Sequence, residues 1–171
     1  MANNTKNHSG MPNEHLHELF VDELRDILGA EKQLLKGLKK MATKAEGENL
    51  KAAFEEHRMQ TEEHVERLKK VFASINLSPR GKTCKAMEGL LNEAEEIIEN
   101  FEDAAVLDAA LISAAQKVEH YEIASYGCLV TYANLMEHRE AAELLNQTLE
   151  EEKNTDTKLT EIAMEEANMA V

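Results

Sequence analysis

Residues 48–75 read ENLKAAFEEHRMQTEEHVERLKKVFASI. Leu50, Phe54, His57, Thr61, His64, Leu68, Val71 and Ile75 recur at alternating steps of four and three residues, and Val65 and Phe72 widen the stripe. That spacing puts one side chain per turn on a single face of an α-helix, the face a helix offers to packed neighbours. The middle of this face is His57, Thr61 and His64 rather than leucine. One segment therefore carries both a packing seam and a candidate binding surface.

The flanking segments repeat the pattern. Upstream, a helix over residues 14–45 has the seam Phe20, Leu24, Ile27, Glu31, Leu34, Leu38, Met41 and Ala45, and Gly47 marks a short turn before the second helix. Downstream, Asn76-Leu77-Ser78-Pro79-Arg80-Gly81 breaks the helix. Residues 85–100 form a short helix with Met87, Leu90, Leu91, Ile97 and Ile98 as its apolar positions. A third long helix covers 103–136, with the seam Leu111, Ala115, Val118, Glu122, Ser125, Leu129, Tyr132 and Met136. A turn at Glu137-His138-Arg139 leads to a fourth over 140–168, with Ala142, Leu145, Leu149, Glu152, Asp156, Leu159 and Ala163. Short turns demand antiparallel neighbours. Two such hairpins joined by one long crossover make the ferritin-like form of a four-helix bundle, over residues 14–171. Residues 1–13, MANNTKNHSGMPN, read as a disordered tail that includes His8, with Asn13 as the N-cap of the first helix.

Composition agrees. Aromatic residues are 4% of the chain, with 2 Pro and 7 Gly, whereas sheets draw on aromatic and β-branched residues. The net charge of −14 opposes nucleic-acid phosphates and anionic membrane surfaces. Cys84 and Cys128 stand alone, without zinc-type spacing or a disulfide framework. No apolar leader or membrane-length run is present, so the expected location is the cytoplasm.

Each seam is interrupted by polar groups: Glu31 in the first, His57, Thr61 and His64 in the second, Glu122 flanked by Glu119 in the third, and Glu152 with Asp156 in the fourth. Folding the first hairpin about residue 46 sets Glu31 level with Thr61, at ~1.5 Å per residue. Folding the second about residue 138 sets Glu122 near Glu152, with Asp156 a turn beyond. A single glutamate in a seam ordinarily snorkels to water, and a single histidine is ordinarily a satisfied core residue. Agreement of four helices at one height points instead to a shared site. No Lys or Arg lies in the seams at this level, so a cation has to balance the buried carboxylates. Oxygen and imidazole donors together suit iron or manganese better than calcium. Tyr121, Tyr126 and Tyr132 are candidates for neighbours of a redox metal, although packing is the commoner role.

Leu16-His17-Glu18-Leu19-Phe20, Ala30-Glu31-Lys32-Gln33-Leu34 and Ala86-Met87-Glu88-Gly89-Leu90 form a set with two later motifs. These are Ala114-Ala115-Gln116-Lys117-Val118-Glu119-His120-Tyr121-Glu122-Ile123-Ala124-Ser125-Tyr126-Gly127 and Glu150-Glu151-Glu152-Lys153. The set resembles the YciE/YciF family of bacterial, stress-associated, ferritin-like proteins over about residues 14–166. The resemblance implies a homodimer with a di-metal centre and a stress-linked role. It also implies that Glu31, His57, Glu119, Glu122 and Glu152 belong to the family's polar core. Family members carry Glu at the position of Gln60, in a His-x-x-Glu arrangement. Gln60 removes that carboxylate here and leaves His64, four residues on, as a substitute ligand.

The expected site is therefore Glu31, His57, His64, Glu119, Glu122, Glu152 and Asp156 around two iron or manganese ions. Iron oxidation and peroxide reduction are the candidate activities. The alternative is a metal-free structural or interaction protein whose polar core sets helix register. A subunit of an iron-storage cage ranks third, because the resemblance points to dimers.

Overall fold

Long amphipathic runs without interior proline fold here as helices. The computed structural model describes residues 10–101 and 104–169. After one 3₁₀ turn at Glu14–Leu16, α1 spans His17–Lys44, α2 Glu48–Ser74, α3 Lys85–Asn100, α4 Ala104–Leu135 and α5 Arg139–Ile162, which continues through a π turn at Ala163–Ala167. No strand occurs among the described residues, and no helix is long and apolar enough to cross a membrane. Most of the expected tail, with His8, lies outside the described residues.

The four long helices contact one another in a ring, α1 on α2, α2 on α5, α5 on α4 and α4 on α1, while α3 lies across α1 and α4. The turns between α1 and α2 and between α4 and α5 leave too few residues for anything but antiparallel pairs. Asp108 of α4, itself buried, pins the first turn. Its carboxylate oxygens accept from the Glu46 N–H at 2.9 Å and the Gly47 N–H at 2.7 Å. The link into α3 runs along α1, where the Lys82 N–H donates to the Arg25 carbonyl at 3.0 Å. A β-carbon on Gly29 would sit 1.6 Å from the Lys82 carbonyl oxygen, so only glycine lets these two backbones approach so closely.

Leu24, Ile27, Leu34 and Leu38 of α1, Phe54, Leu68 and Val71 of α2, Leu111 and Leu129 of α4, and Leu145 and Leu159 of α5 form a continuous buried core. Two expectations shift. Beyond Glu122 the buried face of α4 is Tyr126 and Ala133, each 0% exposed, whereas Ser125 and Tyr132 sit half-buried beside it. Asn13 makes no side-chain cap. Its φ of 53° is left-handed rather than the extended backbone an N-cap needs, so the amide turns away and donates to the Leu135 carbonyl at 2.8 Å.

Candidate metal centre

The polar interruptions of the four seams meet inside the ring. Glu31 comes from α1, His57 and His64 from α2, Glu119 and Glu122 from α4, and Glu152 from α5, and none of them is more than 3% exposed. His57 and His64 stand two turns apart on one helix face. Thr61 between them returns its hydroxyl to the His57 carbonyl at 2.9 Å, leaving the space in front of the rings to the acids.

Glu152 is the hinge of the arrangement. Its Oε1 lies 2.9 Å from His64 Nδ1 and its Oε2 3.9 Å from His57 Nε2. On one side, His64 Nδ1 is also 3.6 Å from Glu31 Oε1, which accepts a hydrogen bond from the Tyr126 hydroxyl. On the other, His57 Nε2 is 3.1 Å from Glu119 Oε1. Two donor sets result: His57, Glu119, Glu122 and Glu152 offer atoms all within 4.8 Å of one another, and so do Glu31, His64 and Glu152.

The donors approach one another at ion-pair distances but without aligned hydrogen bonds. Both oxygens of Glu122 and of Glu152, one each of Glu31 and Glu119, both nitrogens of His57 and Nδ1 of His64 are buried with no aligned hydrogen bond in the structure. Buried polar groups normally find partners. Close donor atoms that are not aimed at each other are what lone pairs directed at a common cation produce. Two imidazoles and four carboxylates are also the donor chemistry of divalent first-row metals, so the residues fit such ions.

Protonation tells the same story. Burial, then the charges of Glu152, Glu31 and Glu119, pushes the Glu122 carboxyl well above the carboxylate range. Burial raises Glu152 to about 7 even though the His64 and His57 rings pull it back. Burial works to lower His57, but Glu119 and Glu152 outweigh it and lift the ring to about 9. For His64 burial is outweighed by Glu152 and Glu31, and the ring reaches about 11. The cluster thus holds on to protons for want of another positive charge.

Asp156 is not brought to this point. It lies one turn past Glu152, half-buried, with its Oδ1 3.4 Å from His120 Nε2 and 3.4 Å from Gln116 Nε2. A ~5.4 Å step along α5 is more than a short aspartate side chain recovers. Gln60 stays at the edge, its Oε1 3.5 Å from the Thr155 hydroxyl. Tyr121 donates to Asp26 Oδ2 at 2.7 Å and meets Cys84 Sγ at 3.0 Å, so it faces α1 and the start of α3. Of the tyrosines, Tyr126 is the one that touches the cluster. The seams hold no Lys or Arg at this level, but Arg67, from the flank of α2, reaches the edge of the cluster. It is 8% exposed and bound to Glu151, whose carboxylate contacts His64. The signal was the i, i+3 spacing of His64 and Arg67, which puts both on one side of α2.

Residues 15–171 match the family described as "Domain of unknown function (DUF892)". The chain belongs to the DUF892 family. Its relatives include Protein YciF of Escherichia coli (strain K12), 49% identical over 154 residues that cover 90% of this chain and 93% of that one. The crystal structure of that E. coli protein, described as a stress protein, superposes with a TM-score of 0.86 over 90% of this chain and 97% of the other. YcfI of Rhodopseudomonas palustris, provisionally described as a structural protein, is 40% identical, with a TM-score of 0.83 over 85% of this chain and 92% of its own. The resemblance seen in the motifs is therefore a family relationship, and this DUF892 chain shares the all-helical fold of its relatives.

Proposed function

We propose that the chain is a ferritin-like four-helix bundle that holds two iron or manganese ions and serves a stress-linked role in iron oxidation or peroxide handling. The observation that carries this reading is the pair of buried donor sets sharing Glu152, with both oxygens of Glu122 and of Glu152 lacking an aligned hydrogen bond. Glu31, His64 and Glu152 would hold one ion, and His57, Glu119, Glu122 and Glu152 the other. Bound ions would supply redox chemistry toward oxygen or peroxide. The protein's part is to gather negative charge, exclude water and fix the imidazoles. The ring of four long helices supports the bundle, and the description of E. coli YciF supports the link to stress.

A metal-free polar core is the second reading. It is favoured by the imidazole–carboxylate contacts at 3.1 and 2.9 Å, which balance charge inside the cluster when both rings are protonated.

Glu122→Leu separates the two. If ions bind, the variant loses at least one of two metal equivalents per chain, measured by elemental mass spectrometry after iron or manganese loading, and its loaded form melts lower. If the core is metal-free, replacing a buried acid by an apolar side chain leaves metal content unchanged. The melting temperature then holds or rises, because replacing buried polar groups by packed apolar ones is often neutral or stabilising.

A further inference from the structure

Beside the donor cluster lies a buried cation that the proposed function does not use. Arg67 reaches from α2 to α5, where its Nη1 donates to the Thr148 hydroxyl at 2.7 Å and to Glu151 Oε2 at 2.8 Å, and its Nη2 to Glu151 Oε1 at 3.1 Å. Gln147 adds a donor to the same Oε1 at 3.1 Å. Both oxygens of Glu151 are thereby locked by a planar fork, the geometry in which arginine holds a carboxylate most firmly. Glu151 Oε2 also lies 2.8 Å from His64 Nε2. An ionised carboxylate only accepts, so Nε2 donates to it and keeps its proton. The ring's other nitrogen, Nδ1, is then the atom turned toward Glu152 and Glu31. Which nitrogen a histidine offers a metal is set by the bond the other makes. Glu151 is 27% exposed, so without the guanidinium its side chain is free to leave the ring for water. Among the described residues nothing comparable braces His57, whose Nδ1 has no aligned partner.

We propose that Arg67 and Glu151 are positioning residues that hold His64 with Nδ1 facing the Glu31/His64/Glu152 donor set, so that this ion position is tuned separately from the one at His57. The inference rests on the di-metal reading. It adds that the two positions are unequal and that a residue pair outside the donor set decides the difference.

The test uses the full-length protein stripped of metal and titrated with cobalt(II), with binding followed by visible absorption. Wild type takes two equivalents. Glu151→Met keeps one at wild-type affinity and binds the second about 10–100-fold more weakly. Glu151→Gln, which retains an acceptor, falls between them, and Arg67→Met follows Glu151→Met in direction. The second readout needs no metal. A slowly exchanging Nε2–H resonance in metal-free wild type, assigned to His64 by ¹⁵N-histidine labelling and distinguished from Nδ1–H by its ring correlations, persists in Glu151→Gln and vanishes in Glu151→Met. Two full-strength equivalents in Glu151→Met overturn the proposal. So does equal loss of both together with a lowered melting temperature of the metal-free protein, since that is a structural effect. Wild type that binds no cobalt overturns the di-metal reading instead. The imidazole resonance then still decides the positioning pair, and its persistence in Glu151→Met counts against it.

Discussion

The two halves of the buried cluster are built on different principles. The His57 half has three carboxylates to one ring, and both oxygens of Glu122 and both nitrogens of His57 go without aligned hydrogen bonds. The His64 half has two carboxylates to one ring, and each outer member is braced: Glu31 by the Tyr126 hydroxyl, His64 by Glu151 and, through it, Arg67. One half concentrates negative charge and leaves it unanswered. The other spends protein groups on orientation. A cation would relieve more repulsion at the first, while the second is the better prepared to receive one in a fixed geometry. Removing a shared group should therefore damage both halves, and removing a brace only one.

Glu152 is the shared group. If the di-metal reading holds, Glu152→Ala is expected to weaken cobalt(II) binding at both positions by at least about 100-fold, since each would lose a direct ligand. Retention of one full-strength equivalent would break the comparison at its root, because Glu152 would then serve a single half.

Proton linkage gives the next effect. Glu152 moves from 4.5 to about 7 in the fold, His57 from 6.5 to about 9 and His64 from 6.5 to about 11. All three bind protons more tightly folded than unfolded, so each contributes stability that is complete below its unfolded value and lost as pH rises through its folded one. In metal-free protein the Glu152 contribution fades between 4.5 and about 7, that of His57 between 6.5 and about 9, and that of His64 only toward about 11. Under the di-metal reading an ion would compete with these protons, so metal-loaded protein would respond in the opposite sense. Calorimetry of both forms should show the gap in melting temperature widening from about pH 5.5 to about pH 8.5. A gap that stays constant would mean that metal and protons do not share the cluster.

The smallest expected effect sharpens the account of the braced half. Tyr126→Phe strips the donor from Glu31 Oε1 and should cost the metal-free protein ~1–3 kcal/mol in a urea titration. The metal-loaded protein should lose less, because an ion can take up the freed oxygen. Equal losses would make Tyr126 a packing residue with no bearing on the site.

Much of this centre was legible in the chain. Helical period and short turns together fix both face and height, which is why Glu31, His57, His64, Glu122 and Glu152 could be aligned before any coordinates. What escaped was whatever depends on reach rather than period. Seam spacing alone does not separate Ser125 from Tyr126, because adjacent residues differ by only ~100° around the axis and the deciding fact is a hydroxyl that finds Glu31. The pattern carries on through Asp156 because nothing in a periodicity says where a site ends along a helix. Arg67 and Glu151 sit at the flanks, and long side chains cross from flank to interior in ways that only the neighbouring helix determines. Asn13 had the right side chain for a cap and the wrong backbone.

The near-complete enclosure of the donors also governs time. With every member of the cluster 3% exposed or less, an ion would reach the donors only past packed side chains. Under the di-metal reading its passage would wait on a transient parting of helices, the kind of partial opening whose free energy lies between fraying and global unfolding. Residence in such a site is clocked by the breathing of the protein rather than by the strength of any one ligand bond. A centre of this kind would keep its metal through brief scarcity and refill slowly when supply returns.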